Sequence, residues 1–332
     1  MIKVAINGFG RIGRLAFRQI ITSTDFDIVA INDLGTAEEL SYLLKYDTVH
    51  RAFHEDLISY VDNDIVINNI KKIKVYNELD PENLPWKELG VDLVLECTGK
   101  FTEYDKAYKH IKAGAKKVLI SAPSKSDNVK TIVYSVNENI LDGTEEVISA
   151  ASCTTNCLAP IVNILERNIG IENGFMSTIH AYTNDQATLD ISHKKGIKAR
   201  RGRACASNIV PTSTGAASAI GKVIPELNGK LDGGSYRVPV EDGSLVELTF
   251  IPKRETTVEE INNIFKNNQD DTIKITFDPV VSSDILGKKH GALVDGLLTN
   301  VSNNLVKVVA WYDNEYGYTA QMLRTAKVLF KD

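Results

Sequence analysis

Ile2-Lys-Val-Ala-Ile-Asn-Gly8-Phe-Gly10-Arg-Ile-Gly13-Arg-Leu-Ala-Phe17 runs from an apolar stretch through three spaced glycines into a helical pattern. The spacing G-x-G-x-x-G is a weak signal alone. Placed between a strand and a helix, it has a physical use for each glycine. Gly8 makes the tight turn, Gly10 lets a pyrophosphate approach the backbone, and Gly13 lets helix and strand pack closely. The helix start then offers N–H groups to an anion. The next apolar strand ends at Asn32-Asp33, 20 residues past Gly13. A carboxylate there takes up the ribose hydroxyls and repels a 2′-phosphate, so Asp33 predicts NAD in preference to NADP.

Working outward, the first half alternates strand and helix patterns. Strands are expected at 2–7, 27–32, 93–96, 117–121 and 131–135, with helices at 12–22 and 104–113. That alternation predicts a doubly wound parallel sheet. Residues 64–67 and 73–76 flank Asn68-Asn69, which predicts an inserted hairpin. The second half carries strand patterns at 175–181, 236–240, 244–251, 272–277 and 306–311 with fewer helices between them. It predicts a mixed or antiparallel sheet with helices on one face. The expected class is therefore α/β, a Rossmann-type doubly wound parallel sheet over 1–152 followed by an α+β catalytic domain over 153–316. An amphipathic helix at about 317–332 is expected to pack back on the first domain.

Bulk properties exclude several classes. The 332 residues are 43% apolar and 24% charged, an ordinary globular balance. A net charge of −5 gives no reason to expect nucleic acid or an anionic membrane as partner. No apolar run approaches the length of a membrane span. The first residues read as a strand, not a secretory leader, so a cytoplasmic protein is expected. The four cysteines, Cys97, Cys153, Cys157 and Cys205, include no C-x-x-C, and no histidine pair has zinc spacing. A disulfide scaffold and a metal site are not expected, and a reducing compartment fits.

Ser149-Ala-Ala-Ser-Cys153-Thr-Thr-Asn-Cys-Leu-Ala-Pro160 sets a thiol at the start of a helical pattern. Free cysteines are usually small buried hydrophobes. Here Ser152, Thr154, Thr155 and Asn156 are residues of a helix cap, not of a core. The strand-like Met176-Ser-Thr-Ile-His180 follows 27 residues after the thiol. A helix N-terminus and an imidazole both favour thiolate over thiol. Together with a dinucleotide site, this predicts oxidation of an aldehyde through a thioester. Cys157, one helical turn on, reads as packing, Cys97 as core, and Cys205 as partly exposed in a basic loop. Thr212-Ser-Thr214-Gly215, ahead of a helix starting near Ala216, forms an anion cradle.

These blocks, with INGFGRIGR (6–14), SCTTNCLAP (152–160), HAYTNDQ (180–186), PTSTGAA (211–217), RVP (237–239) and WYDNEYGY (311–318), occur in order along the chain. On them the chain resembles the phosphorylating, NAD-dependent glyceraldehyde-3-phosphate dehydrogenases over essentially its whole length. The resemblance implies a glycolytic enzyme with Cys153 as nucleophile and His180 as base. It implies Thr183 and Arg237 at the substrate phosphate, and Ser152, Thr154, Thr214 and Gly215 at inorganic phosphate, with Arg203 reaching one or both. Arg11 and Ile12 would offer backbone groups to the pyrophosphate, Ser121 would lie near the cofactor, and Asn314 would hold the nicotinamide carboxamide. A homotetramer is implied, with the basic loop 190–208 near its centre.

Three departures from the family pattern stand out. Leu79 replaces a frequent arginine beside the adenine, Ser192 replaces a frequent proline near the adenosine ribose, and the basic loop is one residue longer. The first two predict weaker NAD binding and some NADP use. Two alternatives fall within reach of the same residues. One is erythrose-4-phosphate dehydrogenase, which uses water for phosphate and to which the intact Thr214-Gly215 block is opposed. The other is a silent nucleotide-binding regulator, to which intact Cys153, His180, Thr183 and Arg237 are opposed.

Overall fold

A computed structural model describes residues 1–330. The end of the closing helix expected at 317–332 therefore lies outside the described residues. The chain divides into two compact units: Met1–Ile132, Glu138–Ala151 and Met322 onward form one, and Val133–Asn137 with Ser152–Gln321 the other.

In the first unit the elements run β1 (Ile2–Asn7), α1 (Arg11–Ile20), β2 (Phe26–Asn32), α2 (Ala37–Lys45), β3 (Ile58–Val61), β4 (Asp64–Ile67), β5 (Lys71–Tyr76), α3 (Trp86–Leu89), β6 (Leu93–Glu96), α4 (Tyr104–Ala107), α5 (Lys109–Lys112), β7 (Lys117–Ile120), β8 (Lys130–Thr131) and β9 (Val147–Ser149). The sheet order is β3-β4-β5-β2-β1-β6-β7-β9-β8. All pairings from β5 to β8 along that order are parallel, which is the doubly wound sheet the alternation predicts. The winding runs from β1 through β2 to β5 on one side and from β6 outward on the other. The order therefore reverses between β1 and β6, and ligands of such sheets bind outside the strand ends at that point. Phe9 and Phe17 meet edge to face at 5.6 Å and help seat α1 on the sheet. Met322, Leu323, Ala326 and Leu329, from the closing stretch of the chain, share a core cluster with Val4, Ile6 and Leu95.

The hairpin lies where the sequence places it. Asn68 and Asn69 take φ of 54° and 56°, the left-handed pair a type I′ turn requires, and β4 pairs antiparallel with β5. The strand expected at 131–135 is a correction. The strand ends at Thr131 with a last bond from Ile132 N–H to Ser149 O, and Val133 N–H instead donates to the Asn137 side chain at 2.8 Å while Asn137 N–H donates back to Val133 O. A side-chain-closed turn takes over an apolar run that reads as strand. The helix expected at 104–113 is two single turns, α4 and α5, broken at Tyr108.

The second unit continues α6 (Cys153–Asn168), β10 (Ile171–Ala181), β11 (Val210–Ser213), α7 (Ala216–Val223), β12 (Leu231–Val238), β13 (Ser244–Pro252), α8 (Val258–Asn267), β14 (Ile273–Thr276), β15 (Ala292–Asp295), β16 (Asn300–Ser302), β17 (Leu305–Tyr312) and α9 (Tyr316–Val328), the last crossing into the first unit at Met322. The sheet is mixed, in the order β11-β12-β10-β13-β17-β15-β14, with β16 paired to β17. Its β13 buries every second residue, the mark of one covered face. The helix α6 packs across β10, β13, β15 and β17, so its first residue is carried to a fixed place on the sheet. No helix among the described residues is long and apolar enough to cross a membrane.

Candidate active site

In the first unit a cavity of about 350 Å³ lies at the switch point, lined by Gly8, Gly10, Asp33, Leu79 and Thr98 among others. Gly8 has φ 91°, and a Cβ there would sit 2.7 Å from Thr98 N. A Cβ on Gly13 would sit 2.1 Å from Gly8 O. Both positions need glycine for the protein's own packing. A Cβ on Gly10 would meet nothing within 4 Å, so the open space above it is available to a ligand, as a pyrophosphate requires. Gly10 is the N-cap of α1 and makes no side-chain cap bond to the first turn, which opens at Arg11 and Ile12. The Arg11 guanidinium itself pairs with Asp47. Asp33 accepts from Phe9 N at 2.7 Å and from Gly35 N at 3.0 Å, which ties the carboxylate to the glycine turn. Leu79 is exposed on this rim, and Ser121 N donates to Glu96 O at the end of β6. These features fit a dinucleotide.

In the second unit Ser152 caps α6, its side chain accepting from Thr155 N at 3.1 Å, and Cys153 is the first helical residue. Ala151, just before the cap, has φ 58°, a left-handed strain accepted at the entry to the site. The Cys153 sulfur lies 3.4 Å from His180 Nε2. His180 Nδ1 lies 2.7 Å from Ala181 O, an acceptor only, so Nδ1 carries the proton and Nε2 offers its lone pair to the thiol. Tyr312 stands edge-on to the imidazole at 5.8 Å and hydrogen-bonds Thr154 at 3.0 Å and Thr178 at 2.9 Å.

Burial, with the positive charge of Arg237 and Arg201 nearby, pulls His180 down to about 3. The imidazole is therefore neutral at physiological pH. Burial pushes the Cys153 thiol above its ordinary range, and the charge of Arg237 pulls it partly back. Where the helix start and imidazole were expected to favour thiolate, burial here outweighs Arg237 and the bonds from Thr154, and the pair stands as thiol and neutral base. Cys153 keeps part of its surface accessible, while Cys157 and Cys205 are buried. Cys205 thus differs from the partly exposed residue expected. Cys97 is enclosed enough for its thiol to be pushed up to about 12.

The parallel pairing of β10 and β12 sets His180 opposite Arg237. Arg237 Nη1 donates to Ala181 O at 3.1 Å and to Thr183 Oγ1 at 2.9 Å. Thr183 Oγ1 in turn donates to Asp185, whose other oxygen pairs with Arg201. Arg201 also donates to Thr212 Oγ1 at 3.1 Å. Arg237 Nε and Gln186 Nε2 are buried donors with no acceptor among the described residues, the condition a bound anion relieves. Thr214 Oγ1 accepts from Ala216 N at 3.2 Å, with Gly215 exposed at the cap of α7. Arg203 is exposed and pairs with Asp190 at 3.0 Å, while Arg201, two residues earlier, is buried against Asp185 and Thr212. Spacing within a lengthened loop of six closely placed lysines and arginines could not choose between them. Asn314 is buried, its Oδ1 accepting from Ser244 Oγ at 2.6 Å. Asp185, Gln186, Arg201 and Tyr312 are the members that the sequence reading passed over. The first two lay inside the block at 180–186 and the last inside the block at 311–318.

A glycine-turn dinucleotide pocket in one unit and a thiol, an imidazole and two arginines in the other define an NAD-dependent oxidoreductase. The comparisons narrow the class. The family models for the "Glyceraldehyde 3-phosphate dehydrogenase, NAD binding domain" and "C-terminal domain" match residues 2–104 and 152–314. The chain is 54% identical to glyceraldehyde-3-phosphate dehydrogenase of Clostridium acetobutylicum, over 98% of this chain and 97% of that one. It is 54% identical to the Clostridium pasteurianum enzyme of that name and 52% to the Streptococcus pyogenes one, each over 100% of this chain and 99% of the relative. The chain belongs to the glyceraldehyde-3-phosphate dehydrogenase family.

Proposed function

We propose that the chain carries out its family's glycolytic reaction, the oxidation of glyceraldehyde 3-phosphate with inorganic phosphate and NAD to 1,3-bisphosphoglycerate, through a covalent intermediate on Cys153. The observation that carries this reading is the 3.4 Å contact between a thiol at a helix start and the unprotonated nitrogen of a buried, neutral imidazole. As the sulfur attacks the aldehyde carbon, its proton passes to His180 Nε2. A thiohemiacetal forms, and the resulting imidazolium, held by Ala181 O through Nδ1, faces the developing oxyanion. A positioned base of this kind contributes on the order of 10²–10⁴ in rate. Bound NAD supplies the acceptor for the hydride that leaves the thiohemiacetal. What remains on Cys153 is a thioester, which keeps the free energy of oxidation available. Phosphate attacks it and releases the acyl phosphate and the thiol.

Arg237 and Thr183 hold the substrate phosphate, with the otherwise unmatched Arg237 Nε as a further donor. Arg201, Ser152, Thr154 and the Thr214-Gly215 cap hold the attacking phosphate, and guanidinium forks suit both. Asn314 orients the nicotinamide carboxamide, with Ser244 taking up its carbonyl end. Gly8, Gly10, Gly13, Arg11, Ile12, Asp33 and Ser121 surround the rest of the dinucleotide. The protein works in the cytoplasm as a homotetramer. Leu189, Ile191 and Ile197, exposed by 74%, 65% and 93% in and beside the basic loop, are the side chains such an interface would cover. Light scattering at four times the chain mass would support the assembly, and a monomer would oppose it.

The test of the function is NADH formation from glyceraldehyde 3-phosphate with and without inorganic phosphate, in parallel with NADP. Phosphate-dependent NADH formation is expected. Equal rates without phosphate would point to a hydrolytic relative, and no turnover with either cofactor to a binding protein.

A further inference from the structure

Behind the dinucleotide pocket lies a buried polar chain that the reaction does not use. Glu96 ends β6, and both its side chain and that of His110 are 0% exposed. Four donors converge on the Glu96 carboxylate. Thr98 N donates at 2.8 Å to Oε1, and the Thr98 hydroxyl donates to the same oxygen. The Asn7 amide and His110 Nε2 donate to Oε2, the latter at 3.1 Å. The direction of the last bond is fixed from behind. Trp86 Nε1–H can only donate, and it meets His110 Nδ1 at 3.0 Å. The proton of His110 therefore sits on Nε2. The chain continues through Asn7 Oδ1, which accepts from Asn32 Nδ2 at 2.7 Å, to Asn32, which exchanges bonds of 2.9 Å with both backbone groups of Glu78. One assignment of protons satisfies every member.

Asn7, Asn32 and Glu96 are the last residues of β1, β2 and β6, so the chain ties together three strand ends on both sides of the switch point. Its outer members, Asn7, Asn32, Glu78 and Thr98, line the cavity. Thr98 N is also the atom that a Cβ on Gly8 would strike, so the position of Thr98 limits that of the glycine turn. We infer that Glu96, with His110 and Trp86 fixing its partner's proton, is a positioning residue for the dinucleotide: it holds the loop after β6 against the glycine turn at the separation the cofactor needs.

Glu96→Gln tests this with little change of shape. The new amide must turn its NH2 toward either the Thr98 donors or the Asn7 and His110 donors, and neither set can reverse while Trp86 donates to His110. The dissociation constant for NAD, read by calorimetry on the intact protein, is expected to rise about tenfold, the effect of one buried donor facing another. The KM for the aldehyde at saturating NAD is expected to stay unchanged. In the double variant Glu96→Gln/Trp86→Phe the His110 ring can change tautomer and accept, so NAD should bind tighter than to Glu96→Gln alone. A merely structural role predicts the reverse, because a second core change adds damage. Should Glu96→Gln not fold, Thr98→Val removes the hydroxyl arm, along with the acceptor of Lys100 N–H, and is expected to weaken NAD by a smaller factor. An unchanged NAD constant in a folded single variant, or a double variant no tighter than Glu96→Gln, would overturn the assignment.

Discussion

Cys153 and His180 face each other as thiol and neutral imidazole, so ionisation of the thiol should govern reactivity in the free protein. Alkylation of Cys153 by iodoacetamide is expected to rise with pH into the alkaline range, because burial raises the thiol. It should show no acid limb near pH 6.5 from His180, which is pulled down to about 3. A rate already level at pH 6 would contradict the neutral pair. The two arginines separate at the same scale. Arg201→Ala is expected to raise the KM for phosphate by roughly tenfold or more, the worth of a hydrogen bond to a charge, and Arg203→Ala to leave it nearly unchanged. The reverse order would return Arg203 to the site. Residue placement was legible where a side chain stands in a compact block, as with the Cys153–His180 contact. It was not legible where a loop must fold to choose, as for Arg201, nor was ionisation legible where it depends on what surrounds a group, as for the Cys153 thiol.

At the scale of elements, the turn from β1 into α1 makes separable demands. Gly13→Ala strikes Gly8 O and is expected to damage folding and NAD binding together. Gly10→Ala strikes no protein atom, so melting temperature should hold while NAD affinity falls. Unchanged affinity by calorimetry would mean that nothing approaches Gly10. The same turn shows why much of the fold could be read in advance. Local chemistry dictates both the glycine turn and the Asn68-Asn69 hairpin, and burial of continuous apolar runs on both faces dictates the parallel strands. The run 131–135 could not be read, because pairing to β9 stops after Ile132 N–H and the Asn137 side chain takes up Val133 N–H instead. The register that sets His180 opposite Arg237 is likewise a property of the assembled sheet, invisible in either strand alone.

For the whole molecule, two buried groups set opposite pH trends. Unfolded His180 takes a proton near 6.5 and the folded one near 3, so its contribution to stability is lost as pH falls across that window. Asp242 is 2% exposed, and burial beside Asp313 and Glu315 pushes it up to about 9. The unfolded chain releases that proton near 3.8, so folding is increasingly penalised as pH rises from there toward 9. Asp242→Asn is therefore expected to raise the melting temperature at pH 8 and to gain nothing at pH 3.5. An equal shift at both would show that the buried proton is not the cause. The central claim, a covalent acyl group on Cys153, is tested most directly by rapid mixing of enzyme, NAD and glyceraldehyde 3-phosphate without phosphate, followed at the absorbance of NADH. The account predicts a burst approaching about one NADH per active chain, then near-arrest until phosphate is added, as expected when a covalent intermediate accumulates. A steady rate with no burst and no response to phosphate would contradict it.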